Sequence, residues 1–123
     1  MGSAILDQLE RFGPQSCQSL SDQQAADYTR DLAKEHYENF SVVSWFLPKR
    51  LRQDFRNIYA FCRWADDLGD ETGNPQRSLE LLAWWRQELE RCYAGRPRHP
   101  VYVALSSTIQ KHDIPQKPFG VFC

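Results

Sequence analysis

The chain has 123 residues, 41% of them hydrophobic and 13% aromatic, which suffices for one cored domain or part of one and speaks against extended disorder. A formal charge of −1 and a pI near 6.3 provide no basic field for nucleic acid, and no Lys/Arg run reads as a nucleic-acid patch. No stretch reaches the roughly 18 apolar residues of a membrane span. Cys17, Cys62, Cys92 and Cys123 lack a CxxC pair or a His at zinc-ligand spacing, so reduced thiols in a cytoplasm fit best.

Residues 1–20 hold a short amphipathic piece, Ile5 to Phe12, followed by Gly13-Pro14 with Ser16 and Ser19, and read as a mobile leader. Ser21 with Gln24 forms a capping-box pattern. From there Ala25, Leu32, His36, Phe40, Val43 and Leu47 keep helical spacing until Pro48 closes the first helix. Pro48 also suits the first turn of a second helix, predicted to run to about Asp70 before Gly73-Asn74-Pro75. Asn74 as cap and Pro75 at the first position open a third helix, whose stripe Leu82, Trp85, Leu89 and Cys92 ends at Gly95. A fourth helix spans about Val101 to Lys111, after which Pro115 and Pro118 break the chain. No alternating run is long enough for a sheet, so the fold class is all-α, with short turns joining antiparallel neighbours.

The second helix carries the chemistry. At 3.6 residues per turn, Leu51, Phe55, Ile58, Cys62 and Gly69 form its apolar stripe, and Tyr59, Arg63, Asp66 and Asp70 fall on a band about 60° wide along the edge. Carboxylates at i, i+4 repel each other, and negative charge in the last turn adds to that of the unpaired carbonyls, each effect costing roughly 0.3 to 1 kcal/mol. A divalent cation would reverse both penalties. A solvated acidic helix end is the simpler reading of an arbitrary DxxxD. Here, however, Tyr59, Phe61, Cys62 and Trp64 lead directly into the carboxylates and Arg63 stands one turn before them. Guanidinium offers a planar donor fork and Mg2+ prefers carboxylate and phosphate oxygens, so such a pairing suits a diphosphate bridging both.

With these residues in view, the chain resembles the squalene and phytoene synthases, head-to-head prenyl-diphosphate enzymes of the class I isoprenoid synthase fold. The resemblance rests on Tyr59, Ala60, Arg63, Asp66 and Asp70 in a Tyr-Ala-x-x-Arg-x-x-Asp-x-x-x-Asp pattern, preceded by Phe40-Ser41 and Leu47-Pro48 at matching spacing. The wording from His36 to Ser41 and from Ala65 to Glu71, with His99-Pro100 and Ala104-Leu105, is most similar to the bacterial hopanoid-pathway branch, the squalene or hydroxysqualene synthases. It covers about Asp27 to Phe119.

The resemblance implies that Asp66 and Asp70 hold Mg2+ against a diphosphate, with Asp67 and Glu71 as nearby carboxylates. It further implies that Arg63 contacts the diphosphate, Tyr59 lines the cavity near the reacting carbons, Phe40 walls the prenyl channel and His36 faces diphosphate. The parent reaction would convert presqualene diphosphate to hydroxysqualene or squalene, or make presqualene diphosphate or phytoene from prenyl diphosphates. Peripheral membrane contact is compatible with this. Family members are more than twice as long and bring a second aspartate-rich helix, so residues 21–123 read as the N-terminal part of the domain. The missing half would cover exposed apolar faces, and the fragment alone is expected to be inactive.

Two other function classes compete. His112-Asp113 is the dipeptide of HD-type metal phosphohydrolases, with His99 upstream, but the further Asp that such a site needs on another helix has only ten residues in which to appear. A non-catalytic helical interaction module would instead use Trp45, Phe46, Trp64, Trp84 and Trp85 as packing or interface residues. Trp84 and Trp85, being consecutive, are not expected to face one core together.

Overall fold

The computed structural model describes residues 4–36 and 45–120. Its helices are α1 (Ala4–Asp7), α2 (Leu9–Phe12), α3 (Asp22–His36), α4 (Lys49–Asp70), α5 (Pro75–Tyr93), α6 (Pro100–His112) and α7 (Lys117–Gly120), and among the described residues there is no strand. The all-α expectation holds. α4 is the central element, packing against α3, α5 and α6, while α3 also lies along α6.

Local chemistry sets the helix ends. Ser21 N–H donates to Gln24 Oε1 at 2.9 Å and Gln24 N–H to Ser21 Oγ at 3.1 Å, a complete capping box. Asn74 Oδ1 accepts from the N–H groups of Gln76 and Arg77, with Pro75 at the first helical position. α5 stops at Gly95, whose φ of 82° is left-handed. Gly95 N–H then bonds Cys92 O and Arg96 N–H bonds Arg91 O, satisfying carbonyls of the last turn. His99 caps α6 by accepting from Val101 N–H, and Asp113 ends it at φ 50°.

Three expectations are corrected. Residues 4–20, which composition marks as a mobile leader, are packed: Ile5 and Phe12 are buried in the core, and an isolated bridge joins Phe12 to Cys17. Tyr28 tethers the segment, donating to Gln8 Oε1 and accepting from Trp64 Nε1–H at 3.0 Å. Gly13 turns so tightly that a Cβ there would lie 2.1 Å from Leu9 O. The second correction concerns α4, which buries Ala60, Phe61, Trp64, Ala65 and Leu68 rather than the stripe Leu51, Phe55, Ile58, Cys62 and Gly69. That stripe is half-buried, with Ile58 at 36% exposure. α4 has two apolar faces, and the aromatic one is the core.

The third correction is the Trp84-Trp85 pair, of which both are buried. Trp85 stacks on Trp64 at 5.2 Å and 6°, while Trp84 reaches Trp64 at 6.4 Å and His99 at 5.8 Å. The core wraps round α5, with α4 on one side and the start of α6 on the other, so two neighbouring positions 100° apart both enter it. Leu89 and Cys92 are buried as the periodicity predicts, and Leu82 is half-buried against the position of Gly69. The expected first helix is described from Asp22 to His36 as α3; Phe40 and Val43 lie outside the described residues, and Leu47 is half-buried at the bend before Pro48.

Candidate functional site

The last three turns of α4 bring Tyr59, Arg63, Asp66, Asp67 and Asp70 together. Tyr59 is half-buried, and Asp66 and Asp70 are exposed. Neither of these carboxylates makes a hydrogen bond or ion pair among the described residues. Asp66 sits partly desolvated beside like charges: burial first, then Asp70 and Asp67, push its pKa above the ordinary carboxylate value, against a smaller opposing pull from Arg63. The last turn of α4 holds no basic residue. The predicted repulsion is therefore present and only partly offset by Arg63, which suits a hard cation with oxygen ligands.

Asp67 differs from its neighbours. It is buried at 4% exposure and faces Arg63, whose Nε lies 3.4 Å from Asp67 Oδ2. Arg63 is thus held beside the acidic pair, one turn earlier on the same helix. Beyond Asp70 the chain turns through Thr72 and Gly73 into the Asn74 cap, forming a surface cavity of about 330 Å³ lined by Gly69, Asp70, Thr72, Asn74 and Ser78. The half-buried apolar face of Leu51, Phe55, Ile58 and Cys62 runs up to the acidic band. Among the described residues no group of three His, Cys, Asp or Glu converges to hold a metal. His36 ends α3 and its side chain is outside the description, as is all of Phe40.

The competing sites fare less well. His112 Nε2 lies 2.9 Å from Asp54 Oδ2, and Asp113 serves as the C-cap of α6, so the His112-Asp113 dipeptide is used in joining and ending helices. Trp64, Trp84 and Trp85 are core, whereas Trp45 and Phe46 are exposed.

Sequence reasoning missed a buried polar chain through the bundle. Asn57 Oδ1 accepts from Thr29 Oγ1 at 2.7 Å and Gln53 Nε2 at 2.8 Å, while Asn57 Nδ2 donates to Ala104 O and Thr108 Oγ1, both at 3.1 Å. Thr108 in turn donates to Asp54 Oδ1 at 2.8 Å, which ties α3, α4 and α6 together. Gln53 and Asn57 at i, i+4 were the available signal. A second missed feature is Glu88, buried at 2% and gripped by Arg98 Nε and Nη2 at 2.8–3.1 Å.

An all-helical bundle with an aspartate pair at the end of an aromatic-rich helix defines the class: the helical isoprenoid synthase fold. Squalene synthase HpnC from Alicyclobacillus acidocaldarius superposes with a TM-score of 0.70 at 42% identity, covering 80% of this chain and 36% of that one. The squalene/phytoene synthase family profile matches residues 33–123, and the chain belongs to that family. Phytoene synthase of Rhodobacter capsulatus is 35% identical over 89 residues, 72% of this chain and 26% of that protein. Phytoene synthase of Arthrospira platensis is 32% identical over 90 residues, 73% of this chain and 29% of its own length. The chain thus spans between a quarter and a third of these two curated relatives.

Proposed function

We propose that this chain supplies the first diphosphate-binding half-site of an isoprenoid-synthesising enzyme, in which Asp66 and Asp70 hold Mg2+ and Arg63, with Asp67 beside it, receives the diphosphate. The observation that carries this reading is the unneutralised Asp66–Asp70 pair bordering a half-buried apolar face. Mg2+, when bound, supplies charge neutralisation for a departing diphosphate. The side chains of α4 do the rest: Arg63 orients the anion, and Tyr59 lines the space beside the reacting carbons. His36 and Phe40, whose side chains lie outside the described residues, keep in this proposal the roles that the family resemblance implies, at the diphosphate and along the prenyl chain.

Greater identity to the squalene synthase, 42% against 35% and 32% to the two phytoene synthases, supports a parent that turns presqualene diphosphate into hydroxysqualene or squalene. Formation of presqualene diphosphate or phytoene from prenyl diphosphates is the second reading, favoured by the recurrence of phytoene synthases among the relatives. Mg2+ with methylene diphosphonate is expected to raise the melting temperature of the chain, and Asp66→Asn with Asp70→Asn to abolish the gain. An equal shift in the double variant would reduce the pair to a solvated helix end.

A further inference from the structure

Asp67 is the buried member of the acidic run that ends α4, while Asp66 and Asp70 on either side of it stand exposed. A carboxylate taken out of water is costly, and an apolar side chain would often pack such a position as well or better. Nor does Asp67 serve its own helix, because negative charge in the last turn adds to that of the unpaired carbonyls. Its geometry points to Arg63 instead. Arg63 Nε is buried and lies 3.4 Å from Asp67 Oδ2, an ion pair without the geometry of a hydrogen bond. The Arg63 side chain nonetheless keeps 35% exposure, and its Nη groups make no hydrogen bond or ion pair among the described residues. The inner edge of the guanidinium is therefore occupied and its outer end is open.

On a helix, acids at i+3 and i+4 both lie within reach of an arginine at i, so Asp66 and Asp67 compete for Arg63. An Arg63 turned to Asp66 would neutralise one of the two exposed carboxylates and occupy its own guanidinium. We propose that Asp67 is a positioning residue whose buried carboxylate holds Arg63 off Asp66, so that the Asp66–Asp70 pair stays open to a cation and the Arg63 Nη groups stay open to a diphosphate. The inference rests on the half-site proposed above and divides its three aspartates by role. Asp66 and Asp70 meet the metal, whereas Asp67 acts through Arg63 and touches neither metal nor diphosphate.

Mn2+ serves as the probe, its binding to the 123-residue chain read from the electron paramagnetic resonance of the unbound ion. Asp67→Asn should weaken Mn2+ binding at least about threefold, because the released Arg63 turns to Asp66. Removing the arginine as well, in Asp67→Asn with Arg63→Gln, should return binding to within about twofold of Arg63→Gln alone. A loss that persists in the double variant would make Asp67 a metal ligand and overturn the proposal. Mn2+ binding by Asp67→Asn equal to that of the unsubstituted chain would overturn it too. Should Asn at the buried position unfold the chain, as circular dichroism would show, the exposed Asp66 supplies the deciding variant. The Arg63 Nε–H resonance, identified by its absence in Arg63→Gln, should exchange with water at a rate that Asp66→Asn leaves within about twofold, since Asp67 holds that edge. Exchange accelerated well beyond this in Asp66→Asn would place Arg63 on Asp66 and sink the proposal. Absence of any Mn2+ binding by the unsubstituted chain would overturn the half-site itself, and the resonance would still decide which carboxylate holds Arg63.

Discussion

His99 is fully buried, its ring perpendicular to Trp64 at 4.3 Å and to Trp85 at 4.8 Å. Because Nδ1 accepts from Val101 N–H, the proton of the neutral ring sits on Nε2, which has no hydrogen-bond partner among the described residues. Burial, and next the nearby Arg98 charge, hold its pKa well below the ordinary 6.5. A protonated His99 therefore belongs to the unfolded chain, and the stability that the neutral ring contributes is present above about pH 6.5 and lost as pH falls below it. Between about pH 6 and 5 the free energy of unfolding should drop by up to roughly 1.4 kcal/mol per pH unit from this group. His99→Asn keeps a capping oxygen and should flatten that slope, measured by urea denaturation across the window. An unchanged slope would assign the acid sensitivity elsewhere. Asp54 acts in a separate, more acid window. Burial alone would raise its pKa, but hydrogen bonds from His112, Thr108 and Lys111 outweigh this and hold it below 3.8, so its contribution is lost only as pH falls through that lower range.

Within α4 the two apolar faces make opposite predictions. Leu68 is fully buried and Ile58 is 36% exposed. Leu68→Ala should cost roughly 2 to 5 kcal/mol of stability and Ile58→Ala under about 1 kcal/mol, both read from urea midpoints. Equal costs would mean that the Ile58 face is core after all. Helix ends were legible in sequence because caps are local: Ser21 with Gln24, Asn74 with Pro75, and Gly95 each satisfy backbone groups within a few residues. The acidic band was legible for the same reason, since the spacing of Arg63, Asp66 and Asp70 on one helix fixes their mutual placement. Burial was not. Periodicity shows that α4 has an apolar face, but which face becomes core depends on what packs there. Phe61 and Trp64 meet Trp85, and Asn57 meets Thr29 and Thr108, across contacts remote in sequence. The amphipathic piece from Ile5 to Phe12 was legible but its burial was not, because Gly13 and Pro14 argue for a loop while only the rings of Tyr28 and His99 show what Phe12 packs against.

For the whole molecule, the proposed half-site predicts what the chain would do alone from the acidic groups among its described residues. Asp66 and Asp70 gather no third ligand among the described residues, and Arg63 stands on the same helix as both. A departing diphosphate carries several negative charges, and groups from a single helix can approach it from one side only. The stabilisation needed in a transition state is electrostatic and preorganised, so half of it permits binding without ionisation. Water would also meet any cation formed over the half-buried face of Leu51, Phe55, Ile58 and Cys62. The 123-residue chain, incubated with Mg2+ and either farnesyl diphosphate or presqualene diphosphate, should therefore release no diphosphate above background. Joined after Phe119 to the remainder of a longer family member, it should form product, and that turnover should be lost in Asp66→Asn and in Asp70→Asn. Release of diphosphate by the unfused chain, proportional to its concentration and absent in Asp66→Asn, would show that one carboxylate pair suffices to ionise the substrate.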